Sequence, residues 1–326
     1  MEYILKACAV ISLFYLCYKM FLQGETFFKS NRWFLISGLL FALIIPFIVI
    51  PIYTVKQAPD VVNTIIPYIN SHTEVSTQTL GWKQIAIWTY AIGVIFFIGR
   101  FAIQITSLYF LFKKSSIEHI QGYSHVRTTD SVSPFSFFKW IVYNPKQFKK
   151  DELKQIILHE KVHVDELHTI DMLSMHLATI FFWFNPLIWL YKKELEQNLE
   201  FIADHTTQEQ SDCQKSYQQL LLKTSVPKYQ LVLANNFYNS LIKKRIVMLH
   251  KNRSKKSNQW KIALMIPVLA IFLMSFNTKE IITYEPAETA ELNESKNFFG
   301  DVEMVLITKD MSDDDLKEIT DSFKEK

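Results

Sequence analysis

Cysteine is scarce in this chain. Three residues in 326, Cys8, Cys17 and Cys213, cannot build a disulfide framework, and neither a CxxC pair nor a Cys/His zinc spacing occurs. Net charge is also nearly absent: 35 Lys and Arg against 32 Asp and Glu leave +3, too little to argue for direct nucleic-acid binding. The first apolar stretch lacks a basic leader and a small-residue cleavage site, so it reads as a retained anchor and not as a signal peptide. What is plentiful is apolar side chain, 49% of the chain, and it is gathered into blocks.

Four blocks approach the roughly twenty residues a helix needs to cross a bilayer. They are Tyr3–Leu22, Trp33–Tyr53, Trp82–Phe112 and Trp260–Phe276. Arg100 interrupts the third and is expected to snorkel toward water. The loops set the orientation through their Lys/Arg bias. Lys19, Lys29 and Arg32 fill the first loop, whereas 54–81 carries only Lys56 against Asp60 and Glu74. Lys113 and Lys114 follow the third block, and a run from Lys243 to Lys256 precedes the fourth, beside the membrane and facing lipid. The expected layout is three membrane helices in 1–112, a cytoplasmic domain in 113–256, a fourth crossing in 257–277, and a short tail, 278–326, outside with the N-terminus.

The chemistry sits in the cytoplasmic part. Residues 131–148 read as a short β element with Phe135, Phe137, Trp140 and Val142 among polar residues and Asn144-Pro145 closing it. A helix follows over 151–169, opened by Asp151 and Glu152. It contains His159-Glu160-Lys161-Val162-His163. Residues i and i+4 share a helical face, so His159 and His163 can hold one zinc ion, with Glu160 beside them to take a proton from water. Such a site needs a third protein ligand. Metzincins would place glycine at 166 and a ligand at 169; Glu166 and Thr169 stand there, which excludes that class. A later helix carries Glu200 and Asp204 at i, i+4, a spacing that suits a carboxylate ligand followed by a carboxylate that orients a ligand histidine. The stretch 172–191 between these motifs is nearly as apolar as the crossings, yet a single crossing would put the histidines and Glu200 in different compartments, which zinc bonds of about 2 Å forbid. It must therefore dip in and return, lie along the interface or pack inside the bundle, with a break at Asn185-Pro186; a core helix of a soluble domain is the other reading of its length.

HEKVH at 159–163, HTID at 168–171, WFNP at 183–186 and EFIAD at 200–204, with SPFSFFKWIVYNP at 133–145 and SLIKKRIVML at 240–249, resemble the BlaR/MecR family of membrane antirepressor metallopeptidases over roughly the first 280 residues. The resemblance implies a mainly α fold, multi-pass membrane helices with an inserted gluzincin-like α+β domain. It implies zinc on His159, His163 and Glu200, Glu160 as general base, and Asp204 behind the ligands; His168 and Asp171 match motif positions as structural or supporting residues. It further implies residence in the bacterial cytoplasmic membrane and a protein substrate, a cytoplasmic transcriptional repressor or the chain itself, cleaved in response to an envelope signal. A homodimer is compatible with it.

Peptidases often hold substrate as an added strand, which makes Phe137, Phe138 and Trp140 the docking candidates, against an ordinary structural strand under the helix. The oxyanion donor is open among His205, Tyr191 and His168. The tail after Phe276 lacks the Ser-x-x-Lys, Ser-Asp-Asn and Lys-Thr-Gly elements of a penicillin-binding sensor, so β-lactam sensing is not expected; a strand at 302–308 and a helix from Ser312 are. The competing readings are a housekeeping membrane protease of the HtpX or CAAX-prenyl type, and a receptor or scaffold without activity.

Overall fold

The computed structural model describes residues 2–57, 81–211, 214–225 and 235–285, and the tail elements expected at 302–308 and from Ser312 lie outside them. The chain is mainly helical and divides into two compact units, Met1–Pro51 with Ser71–Lys279, and Ile52–Asn70 with Glu280–Lys326.

Among the described residues of the first unit, four helical stretches are long and apolar enough to cross a membrane: Glu2–Leu22, Phe28–Phe47, Trp82–Lys114 and Lys256–Phe276. The first is α1 (Glu2–Cys17) continued by a π turn, and the second is α2 (Phe28–Ile44) with a 3-10 turn to Phe47. That second helix starts five residues before the sequence expectation and stops six short of it, because Pro46 and Pro51 end helical pairing and Ile50–Gln57 runs extended as β1. The third is α3 (Trp82–Lys114).

Four short strands follow: β2 (Ser116–Ile120), β3 (Tyr123–Arg127), β4 (Phe135–Phe137) and β5 (Trp140–Tyr143), in the order β2-β3-β5-β4. β3 and β5 are parallel and the other pairs antiparallel, so β4 is an edge strand. The expected single β element is thus a hairpin with Phe137 opposite Trp140. Phe138 heads its two-residue turn at a φ of 49°, where glycine is the usual occupant.

α4 (Lys150–Asp165) begins with a cap in which Glu152 Oε2 accepts the Lys149 N–H at 3.0 Å. Its apolar stripe splits between two partners. Ile157 and Val164 pack on Ile141 and Tyr143 of the sheet, while Val162 enters the helical core. Helix does not continue to Thr169. Leu167 turns left-handed at φ 56°, and α5 (His168–Phe181) starts beside it, so the HTID motif stands on a separate helix.

α5 and α6 (Pro186–Gln210) form the helical hairpin that the break at Asn185-Pro186 predicts. Asn185 caps α6 by accepting the Leu187 N–H at 2.9 Å, and its side chain reaches the Cys8 thiol of α1. Tyr90 of α3 donates to the Phe181 carbonyl at 3.1 Å. The Trp183 ring lies so close to Gly93 that a Cβ there would meet it at 2.2 Å. The hairpin turn therefore lies beside the middle of two membrane helices. α6 is then held by α1 and α2: Ile188, Tyr191, Leu195 and Leu199 are buried with Val10, Ile11, Phe14, Phe34 and Leu35. Gly38 of α2 makes this crossing possible, because a Cβ would meet Tyr191 Oη at 2.4 Å.

Two more helices, α7 (Gln214–Ser225) and α8 (Asn235–His250), precede the last crossing, α9 (Trp260–Ala263) with α10 (Met265–Phe276). In the second unit the described part is the pairing of β1 with β6 (Thr278–Glu285), where Thr54 Oγ1 donates to Glu280 Oε1 at 2.8 Å.

Candidate metal centre

α4 and α6 cross so that two imidazoles and a carboxylate meet. His159 Nε2 and His163 Nε2 lie 3.2 Å apart. Glu200 Oε2 is 3.5 Å from the first and Glu200 Oε1 is 3.7 Å from the second. Zinc bonds of 2.0–2.1 Å in tetrahedral geometry hold ligand atoms about 3.3 Å apart, so this triangle has the size such an ion needs. Among the described residues it is the group of three that fits a metal ion. Glu160, on the same turn as His159, is largely buried and lines the cleft in front of the triangle.

The far side of each imidazole is engaged. His159 Nδ1 lies 2.8 Å from Tyr217 Oη, and that hydroxyl donates to Asp204 Oδ1 at 2.7 Å. With Nε2 of His159 free for a metal, its Nδ1–H donates to Tyr217, so one chain of donors runs from ligand to carboxylate. Asp204 is almost fully buried and is clamped by Arg245, whose Nε and Nη2 donate at 2.7 and 2.6 Å. Arg245 Nη1 also lies 2.9 Å from Glu200 Oε2. A single guanidinium thus holds two acidic residues of α6 one turn apart, a geometry that suits its planar fork. His163 Nδ1 is 2.8 Å from His168 Nδ1.

These contacts set the protonation states. Burial alone would raise the pKa of Glu200, but Arg245 and then the two histidines overcome it and hold the carboxyl below its ordinary range. Burial opposes charge on His159, and Glu200, Asp204 and Glu160 reverse that and raise it. His163 is lowered, by burial first. His168 is pushed down to about 2, by burial first and then by its neighbours His163 and Arg32, so it is a neutral ring that accepts from His163.

Arg245 and Tyr217 were missed from the sequence. Arg245 was absorbed into the basic run before the last crossing, and Tyr217 carries no motif at all. Asp171, by contrast, turns away from the triangle: Arg32 of α2 donates to it from Nε at 2.7 Å, while Nη2 reaches the Glu166 carbonyl at 2.7 Å and Nη1 the Glu166 carboxylate at 3.1 Å. Tyr191 is buried against α2 with its hydroxyl donating to the Leu35 carbonyl, and His205 packs beside Phe28 with Nδ1 3.6 Å from Glu209, so neither lines the cleft. His168 does.

The cleft measures about 950 Å³. β4 forms one wall, α3 contributes Phe101, Ile105 and Leu108, and α8 contributes Ile242 and Arg245. Of the three docking candidates, Phe137 lines it. Phe138 is at the exposed hairpin tip with its N–H on Thr169 Oγ1 at 2.9 Å, and Trp140 packs edge-on against Phe112 with centroids 4.3 Å apart.

Comparison with known proteins places these residues among relatives. The profile of the family described as BlaR1 peptidase M56 matches residues 3–249. The Regulatory protein BlaR1 of Bacillus licheniformis is 32% identical over 107 residues, 31% of this chain and 18% of that protein. The Regulatory protein BlaR1 of Staphylococcus aureus is 25% identical over 163 residues, 46% of this chain and 28% of that protein. The matched stretch spans less than a third of the length of either relative.

Proposed function

The chain belongs to the BlaR1 peptidase M56 family of membrane regulators and peptidases, and from that membership we propose a zinc endopeptidase whose site faces the cytoplasm. The observation that carries the proposal is the triangle of His159, His163 and Glu200 with ligand-sized edges. These three residues would hold the ion. When bound, zinc supplies Lewis-acid polarisation of the scissile carbonyl and makes water easier to deprotonate. Glu160 accepts the proton of the attacking water and hands it to the leaving amine. Arg245 keeps Glu200 ionised, and Asp204 acting through Tyr217 fixes the direction in which His159 points. His168 does the same for His163.

Substrate enters as an extended segment along β4. That strand is an edge whose residues Phe135–Phe137 wall the cleft containing Glu160 and His163, and backbone pairing there would lay a peptide carbonyl in front of the triangle. The substrate we propose is a cytoplasmic repressor or the chain itself, and the trigger an envelope signal reaching the membrane helices; the basic loops place residues 113–256 inside and both ends outside.

Two variants test the site. Metal analysis of purified protein should find about one zinc per chain in wild type and in Glu160→Gln, and a clear deficit in Glu200→Ala. Cleavage of a co-expressed repressor should vanish in Glu160→Gln. Full zinc occupancy in Glu200→Ala would overturn the ligand set, and undiminished cleavage by Glu160→Gln would overturn the base.

A further inference from the structure

Away from the metal triangle, three basic side chains from three helices converge: Arg100 of α3, His176 of α5 and Lys192 of α6. Lys192 Nζ lies 3.4 Å from His176 Nε2 and 3.5 Å from its Nδ1. The ring of Phe101, the residue after Arg100, packs on the His176 ring with centroids 5.8 Å apart. Arg100 comes to the pair on α3, one residue before that Phe101 contact. Compensation is thin. Glu196 forms an i, i+4 ion pair with Lys192 at 3.8 Å, and among the described residues no carboxylate pairs with Arg100, so the cluster keeps a net positive charge. Two cations and an imidazole facing one another repel unless an anion joins them.

Where the cluster sits identifies that anion. Trp82 opens α3 at one membrane face, and about twenty residues at ~1.5 Å each carry the helix across ~30 Å of hydrocarbon. The opposite boundary then falls at Arg100–Ile103, the depth of the headgroup phosphates. The rim is apolar and exposed: Phe96 and Ile103 lie about a turn from Arg100 along α3, and Trp189 and Leu190 within a turn of Lys192 along α6. An acidic peptide in water would have to cross that rim, whereas a phospholipid presents its phosphate from within it.

We propose that Arg100, His176 and Lys192 form a binding site for the phosphate of an anionic phospholipid in the leaflet beside the metal centre. Arg100 and Lys192 supply charge, and His176 supplies a ring nitrogen between them. Such basic pockets between membrane helices are a recognised form of lipid recognition. The site borders the substrate cleft, whose lining includes Phe101, His176, Lys193 and Glu196, so the bound headgroup would form part of the cleft mouth.

The test uses the full chain in detergent, with bound lipid counted by native mass spectrometry during titration with phosphatidylglycerol or phosphatidylcholine. Wild type is expected to retain phosphatidylglycerol about tenfold better, and Arg100→Gln with Lys192→Gln to lose roughly thirtyfold of that retention, given the contribution of each cation near a lipid surface. Zinc content, unchanged in the double variant, reports folding and separates this site from the metal centre. Arg100→Lys with Lys192→Arg, which keeps the charges, should bind within a few-fold of wild type; Lys83→Gln at the other end of α3 should bind as wild type. Equal retention of the two lipids, or undiminished binding by a double Gln variant that keeps its zinc, overturns the proposal. So does inorganic phosphate binding as tightly as the lipid, which marks a free-anion site, or displacement of the lipid by an acidic peptide.

Discussion

Arg245 is the residue on which the candidate centre turns. It touches no ligand histidine, yet it spans Glu200 and Asp204, and Asp204 in turn anchors Tyr217 and so His159. Removing one supporting partner of a metal ligand commonly costs 10–100-fold in metal affinity, and Arg245→Lys forfeits the fork that grips both carboxylates. Competition with a chelator should therefore show zinc held about 10–100-fold more weakly in Arg245→Lys. Tyr217→Phe breaks the chain to His159 alone and should fall at the lower end of that range. A chelator titration indistinguishable from wild type in both would remove this supporting role. Sequence reasoning reached the histidines because a helix turn is local: four residues of spacing are enough to put them on one face. It could not reach Arg245 or Tyr217, which stand 45 and 17 positions after Glu200 and come to the site only through the packing of α7 and α8. For Asp171 the motif position leaves a structural and a supporting role open, and the fold makes it the partner of Arg32.

At the level of the element, the junction of α4 and α5 decides where His163 points. Leu167 takes a left-handed conformation that the sequence does not advertise, with no glycine, proline or asparagine there. Tertiary contacts impose it: Arg32 binds the Glu166 carbonyl and carboxylate and the Asp171 carboxylate, tying both helix ends to α2. Arg32→Gln leaves the buried Asp171 without its partner and is expected to destabilise the fold by about 3–5 kcal/mol, read as a lowered midpoint of thermal unfolding in detergent. Arg32→Lys should recover only part, because one ammonium cannot replace three directed contacts. The α5–α6 hairpin was more legible, since Asn185-Pro186 is a strong break and a shared metal forbids a single crossing. Its tight seat on α3 was not. Gly93→Ala drives a Cβ into the Trp183 ring and should cost roughly 1–3 kcal/mol as overpacking, whereas Gly99→Ala, with open space around it, should be nearly neutral. Equal midpoints for the two variants would show that the hairpin is not seated there.

For the whole molecule, hydropathy recovered the four helices long and apolar enough to cross a membrane, and family-like motifs recovered the family, because both are written in composition and short spacing. Helix ends were less legible: the second crossing is shorter than its apolar run because proline, not polarity, stops it. The sheet order, which exposes β4 as an edge, follows from long-range pairing that no local pattern encodes.

The seating of the α5–α6 turn beside Tyr90, Gly93 and Cys8 also constrains how the molecule comes into being. In bare lipid the Phe181 carbonyl would lose the Tyr90 hydroxyl and the Asn185 side chain would lose the Cys8 thiol, so the hairpin is expected to enter the bilayer less readily than an ordinary crossing. It needs the groove of α1 and α3 already standing. The crossing of α4 with α6, which brings His159, His163 and Glu200 together, is then expected to form after that bundle.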